Sequence, residues 1–376
     1  MNKLVMTPGP TQISEQVRNA LSIKNTNTDL DSEFLKLYKD TCDKAKVVAK
    51  TKESQAIIML GEAILGLEAA CASFIEKDDK VLVIDNGIFG RGFSDFVKLY
   101  GGNVTIYKSD YDKGIDANKL ESFIVNNGPF KVATLVHCET PTGVTNRLNK
   151  IGPLLDKHGI ISIVDAVSSF GGEELLMDEW NLDVLLAGSQ KCLSATSGGT
   201  IIFVSKKAKE YLVNRKSIIN SFYLNIKNWL DVYETGAFPY THSDAIINSL
   251  NVALEHLISD NSVENHKKLA EKVRQTINNC GLALYPSNSF SNTLSAIKVP
   301  KEINSEEMFA YLINEYNILI GGSLAEFSEK IFRIGHMGEN AKEENLFLLF
   351  KALDDFFKQK NYGLKNELHV EFAKLI

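Results

Sequence analysis

Two short stretches place an acid and an amine where chemistry is possible. In VDAVSSFGG (164–172), Asp165 directly follows the apolar run Ile160–Val164. In AGSQKCL (187–193), Lys191 follows the run Val184–Ala187. A carboxylate at the carboxyl end of a buried strand is desolvated and needs a partner. A lysine in such a place has its pKa lowered by desolvation, which suits imine formation and proton transfer. Spacing alone favours the plainer reading, a buried Asp–Lys ion pair, because structural pairs are perturbed in the same way. A third stretch is the turn Gly61-Glu62-Ala63-Ile64, which opens a helix after Ala56–Leu60. Free backbone amides at a helix N-terminus bind phosphate. One glycine there also suits an ordinary strand–helix turn.

These residues need a scaffold, and the chain describes one. Seven short runs rich in Val and Ile recur between residues 56 and 204: Ala56–Leu60, Val81–Ile84, Val104–Tyr107, Val132–His137, Ile160–Val164, Val184–Ala187 and Thr200–Val204. Continuous apolar runs separated by amphipathic stretches read as strands of a mostly parallel sheet with both faces covered. The segment after the first run repeats apolar residues at helical spacing through Ile64, Leu67, Cys71 and Phe74. In such an α/β domain, ligands bind at the carboxyl ends of the strands. Beyond about residue 245 the texture changes. Helices are expected at Ala245–Ile258, Ser262–Cys280, Ser305–Tyr316 and Glu343–Phe357. Short strands are expected at Leu294–Val299, Ile318–Ile320 and Ile331–Ile334. The expected division is an N-terminal arm and large domain over residues 1–260 and a small α+β domain over 261–376. The charged stretch after Lys358 carries no readable pattern.

Composition bounds the alternatives. The 376 residues hold 41 Lys and Arg against 47 Asp and Glu, a net charge of −6, which argues against nucleic acid or an anionic membrane as the main partner. No apolar stretch is long enough to span a bilayer, and the first residues do not read as a signal peptide. The five cysteines are odd in number and scattered, which fits neither a disulfide framework nor a zinc site and points to a reducing cytoplasm.

Six marks in fixed order join these signals: TPGPT (7–11), NGIFGR (86–91), HCETPTG (137–143), VDAVSSFGG (164–172), GSQK (188–191) and FRIGHMG (332–338). Through them the chain resembles the class V aminotransferases of pyridoxal 5'-phosphate (PLP) fold type I. Its nearest branches on these marks are the alanine–glyoxylate or serine–pyruvate and the 2-aminoethylphosphonate–pyruvate aminotransferases. The resemblance implies that Lys191 forms the aldimine with PLP and that Asp165 keeps the pyridine nitrogen protonated. It implies that Val167 and Phe89 cover the two faces of the ring, and that Thr140 approaches its phenolic oxygen. Gln190, flanked by Ser189, would reach the phosphate together with the amides of Glu62, Ala63 and Ile64. Arg333 would bind the substrate α-carboxylate, and Gly9 would lend backbone to the substrate pocket. Thr241 would contact the phosphate from a neighbouring subunit, which implies a homodimer.

The implied reaction moves an amino group from alanine or serine to glyoxylate or pyruvate. The alternatives are 2-aminoethylphosphonate as donor, or a PLP lyase of the cysteine desulfurase type. No metal is expected. The chain departs from the family pattern in three places. Gly61-Glu62-Ala63-Ile64 lacks the hydroxyl usual in the phosphate turn and carries an acid instead. Phe238 stands where a tyrosine is common. The early His-Arg motif is missing from NTNTDLD (25–31).

Overall fold

The computed structural model describes residues 3–376. A seven-stranded sheet forms the larger unit. We label its strands β1 (Gln55–Leu60), β2 (Lys80–Asp85), β3 (Asn103–Lys108), β4 (Val132–Val136), β5 (Ile161–Asp165), β6 (Val184–Gly188) and β7 (Gly199–Val204). Their spatial order is β1-β7-β6-β5-β4-β2-β3. The pairings from β6 across to β3 are parallel, and β7 runs antiparallel to both its neighbours. Every residue of β4, β5 and β6 is buried, as their largely apolar sequences lead one to expect. The edge strand β3 is mostly exposed or half-buried, with only Tyr107 buried. The α/β class and mostly parallel sheet expected from the sequence are therefore present.

The helix Ala63–Phe74 lies across β6 and β7. Its Gly66 is needed for that approach, because a Cβ there would stand 2.3 Å from Thr200 Cγ2. The sequence reading omits the 18-residue helix Ser32–Ala49, capped by Asp31. Its buried stripe starts with Phe34 and Tyr38 at helical spacing and continues through Thr41, Cys42, Ala45 and Ala49, small residues that weaken the core signal. It packs on the helix Asp244–Ser259.

The C-terminal part sets three strands, Leu294–Lys298, Ile331–Gly335 and Gly321–Gly322, against the helices Ser262–Asn279, Ser305–Tyr316 and Glu343–Gln359. It has its own apolar cluster, which includes Val273, Phe332, Phe350 and Phe356. Met6 belongs to this second cluster, and Leu4–Val5 pairs in parallel with Ile318–Leu319. The arm grouped with the large domain in the sequence reading thus starts in the small one. The unreadable tail also has a place. Its short helix Leu368–Ala373 buries Leu368 and Phe372, and Asp354 accepts from the Leu368 and His369 amides at 2.8 and 2.9 Å. Two apolar contacts four residues apart are too few for periodicity to reveal.

Candidate active site

Topology brings the acid and the amine together. Strands β5 and β6 are adjacent, with Asp165 opposite Leu186, so Asp165 at the end of one lies beside the turn that follows the other. Asp165 is buried, and its Oδ1 accepts from the Val167 amide at 2.8 Å. Burial pushes its pKa up to about 6, against the opposing pull of that amide and of Lys191. Lys191 follows β6 in a turn held by Ala195 N–H to Ser189 O and by Ser194 at φ 50°. Its amine donates to Pro8 O at 2.7 Å. Burial, and then the charge of Arg333, lower its pKa, so more of it stands as free base than in an exposed lysine.

Asp165, Lys191, Glu62, Ala63, Ile64, Phe89, Thr140 and Val167 line one cavity, with Leu67 and Ser168 completing its wall. Gly188 packs behind two of these lining residues, where a Cβ would meet Val167 Cγ1 at 3.1 Å and Ala63 Cβ at 2.9 Å. The Thr140 and Ser168 hydroxyls hydrogen-bond each other. Arg333 is 8% exposed, which makes its lack of an anion decisive. Its Nε donates to Gly322 O at 2.7 Å and its Nη1 to Thr140 O at 3.2 Å. Burial alone pulls its pKa down to about 10, and no described carboxylate offsets that cost. A guanidinium held on carbonyls with donors to spare is built to receive a carboxylate bidentately.

Gly9 lies flush against the amine. Its φ is +89°, and a Cβ there would stand 2.4 Å from Lys191 Cδ and 2.7 Å from Nζ. Thr11 fastens this arm to the lysine turn, with its N–H on Gln190 O and its hydroxyl on Lys191 O, both at 3.0 Å. We therefore expect Gly9→Ala to fold but to lose roughly a hundredfold in kcat, since a misplacement of about 1 Å costs that much. Steady-state rates beside a circular dichroism spectrum would check it, and an unchanged kcat would show that Lys191 does not depend on this contact.

The phosphate end differs from expectation. Glu62 caps the helix with its own side chain: Oε2 accepts from Ile64 N at 3.0 Å, and Oε1 accepts from Gln190 Nε2. The Ile64 amide is therefore not free, and Gln190 is already engaged. Ser189 is fully buried, and its hydroxyl accepts from Gly199 N at 3.2 Å. Thr241 lies outside the cavity, exposed, and donates to Asp29 Oδ2 at 3.0 Å. The pyridine ring of PLP fits this pocket, since an acid, an amine, an aromatic ring and a small apolar side chain line it. Of the donors expected at the phosphate end, the Ile64 amide and Gln190 are taken by Glu62, and no cationic side chain lines that end of the cavity.

One site residue was not singled out from the sequence. Glu139 is fully buried and accepts from Phe89 N at 3.2 Å and Gly90 N at 2.6 Å, at the start of the helix Ile88–Leu99. Burial raises its pKa to about 8, while those amides favour the charged form. It fixes the backbone that carries Phe89. It lay in plain view inside HCETPTG, but nothing local links it to a residue 50 positions upstream.

This sheet, this cavity and this buried arginine together define a fold type I aminotransferase. Residues 7–333 match the family Aminotransferase class-V, and the chain belongs to that family. Its members are PLP-dependent. Similar proteins include a pyridoxamine–pyruvate transaminase of Mesorhizobium japonicum, 30% identical over 90% of this chain and 87% of that protein. A serine–glyoxylate aminotransferase of Arabidopsis thaliana is 31% identical over 95% and 91%. Among solved structures, the ureidoglycine–glyoxylate aminotransferase of Bacillus subtilis superposes with a TM-score of 0.95 at 26% identity, covering 100% of this chain and 98% of that one.

Proposed function

We propose that the chain transfers the amino group of a small amino acid, alanine or serine, to a small 2-oxo acid, glyoxylate or pyruvate, in the cytoplasm and as a homodimer. The observation that carries this reading is Arg333, a buried guanidinium beside Lys191 with no carboxylate of its own. The similar proteins differ in amino donor but share glyoxylate or pyruvate as partner, and one carboxylate fork would serve both half-reactions. The five buried free cysteines suit a reducing compartment. Among the described residues no helix is long and apolar enough to cross a membrane.

The residues divide the work. Arg333 binds the α-carboxylate and so presents the substrate Cα to Lys191. The Lys191 amine, poised on Pro8 O, takes the Cα proton and later delivers it to the accepting carbon. Asp165 holds a cationic ring nitrogen, while Phe89 and Val167 confine the ring between them. PLP, when bound, supplies the electron sink for the Cα electrons. Thr241 reaches the site of the partner subunit in this reading, which suits its exposure on the single chain.

The competing donors fare worse. A phosphonate needs further cations. Arg91 is paired with Glu326 at 3.3 Å, and Arg147 lines a separate surface hollow with Asn288. A desulfurase needs an accessible thiolate, yet all five cysteines are buried, and burial pushes the Cys138 thiol up to about 12. A half-reaction screen tests the donor. With PLP-loaded protein, alanine or serine should bleach the visible band within seconds. Rapid bleaching by 2-aminoethylphosphonate with none by alanine or serine would reverse the assignment.

A further inference from the structure

We infer that the pocket also takes the unphosphorylated pyridoxyl ring, pyridoxamine and pyridoxal, as exchangeable substrates, because Glu62 occupies the corner where a ring phosphate would sit. The helix Ala63–Phe74 offers its N-terminus to that corner, and Glu62 has claimed it. One carboxylate oxygen takes the Ile64 amide and the other takes the side-chain amide of Gln190. Gln190 is 5% exposed and its Oε1 has no hydrogen-bond partner, so it is committed to this corner and not to solvent.

The neighbouring hydroxyls are turned away. Thr200 Oγ1 donates to Gly61 O at 3.1 Å, and Ser189 Oγ accepts from Gly199 N. No cationic side chain lines the cavity except Lys191 at its other end. A phosphate dianion would have to displace a carboxylate from its two donors and then remain beside it, and like charges repel in a partly dry site. A hydroxymethyl group has the opposite character. It is neutral, small and a donor, and Glu62 has lone pairs to accept it. The rest of the pocket is indifferent to the change, because Asp165, Phe89, Val167 and Lys191 address the ring.

The reaction is a transfer between two substrates. Pyridoxamine gives its 4′ amino group to a 2-oxo acid, leaving pyridoxal and an amino acid. The 4′ carbon is oxidised from amine to aldehyde, and the oxo carbon is reduced to amine. A C–H bond breaks at the 4′ carbon and one forms at the acid's Cα, with Lys191 carrying the proton. One water leaves on condensation and one enters on hydrolysis, so the balance closes without another reductant. This step rests on Arg333 holding the 2-oxo acid, as proposed above.

The experiment compares ligands on the full chain, stripped of bound chromophore by dialysis. Pyridoxal and PLP are titrated separately by absorbance, and the protein is then incubated with pyridoxamine and pyruvate without PLP. Pyridoxal should bind at least as tightly as PLP, and pyridoxal and alanine should appear in equal amounts. Glu62→Ser should shift the affinity ratio toward PLP by tenfold or more, about 1.4 kcal/mol. Glu62→Gln, which removes the charge and keeps the reach, should move it the same way if the serine variant does not fold. PLP binding ten times tighter than pyridoxal in the wild type, or a ratio that neither variant moves, would overturn the inference. Alanine–glyoxylate exchange in the PLP-loaded protein is measured alongside. Exchange without pyridoxamine turnover sinks this inference alone. Pyridoxamine turnover without exchange supports it and removes the PLP-mediated alanine–glyoxylate reaction.

Discussion

Lys191→Ala is expected to lower turnover by about 10⁴ or more and to abolish the visible absorption band of the PLP-loaded protein. The residue is the sole amine in the cavity, and a positioned base contributes roughly 10² to 10⁴ on its own. Loss of the covalent anchor for the carbonyl adds to that. The fold should survive, because the amine's one hydrogen bond is to Pro8 O. Removing a desolvated amine next to Arg333 relieves repulsion, so the melting temperature should hold or rise. Borohydride treatment followed by peptide mapping should label Lys191 in the wild type and nothing in the variant. A variant that kept a tenth of the wild-type kcat would show that another group moves the proton.

Arg333→Ala is expected to lower kcat/KM by about 30-fold to several thousandfold, and to do so for the amino acid and the 2-oxo acid alike. That range corresponds to about 2–5 kcal/mol for truncating one member of a buried, hydrogen-bonded charge pair. The equality follows from a single fork serving both substrates in turn. Arg333→Lys should recover only part of the loss, since a lysine can neither span both carboxylate oxygens nor keep the Gly322 and Thr140 contacts. Separate double-reciprocal series for each substrate would read this out. If one substrate kept its kcat/KM while the other lost it, two different carboxylate sites would have to exist.

The sheet and the two chemical strand ends were legible in the sequence because their signal is local. A run such as Ile160–Val164, with only Ser162 polar, reads as a covered strand, and Asp165 directly after it sits at the carboxyl end by construction. The helix Ser32–Ala49 carries helical spacing in Phe34, Tyr38, Cys42, Ala45 and Ala49, muted by the small residues of its second half, and the tail helix is too short to show a period. At the site, the residue types of the marked segments were visible, but not what they bond to. That Glu62 turns inward to cap its own helix depends on Gln190, 128 residues away. That Glu139 steadies Phe89 depends on a helix start across the sheet. That Pro8 holds the Lys191 amine depends on the arm reaching back to the lysine turn. Such pairings are properties of closure, and no spacing rule contains them.

The arm has a consequence for the order in which the protein is made. Leu4 and Val5 must wait for Ile318 and Leu319 before they have a strand to join, and Met6 waits for the second core. About 300 residues separate the two, which at the ribosome's roughly 5–20 residues per second is about 15 to 60 s. During that interval Thr11 can already fasten the arm to the lysine turn through Gln190 O and Lys191 O, while Leu4 and Val5 still lack their partner strand. The contact that steadies the Lys191 amine is therefore secured in two stages, first at the lysine turn and then from the second core, once residues 318–319 have been made.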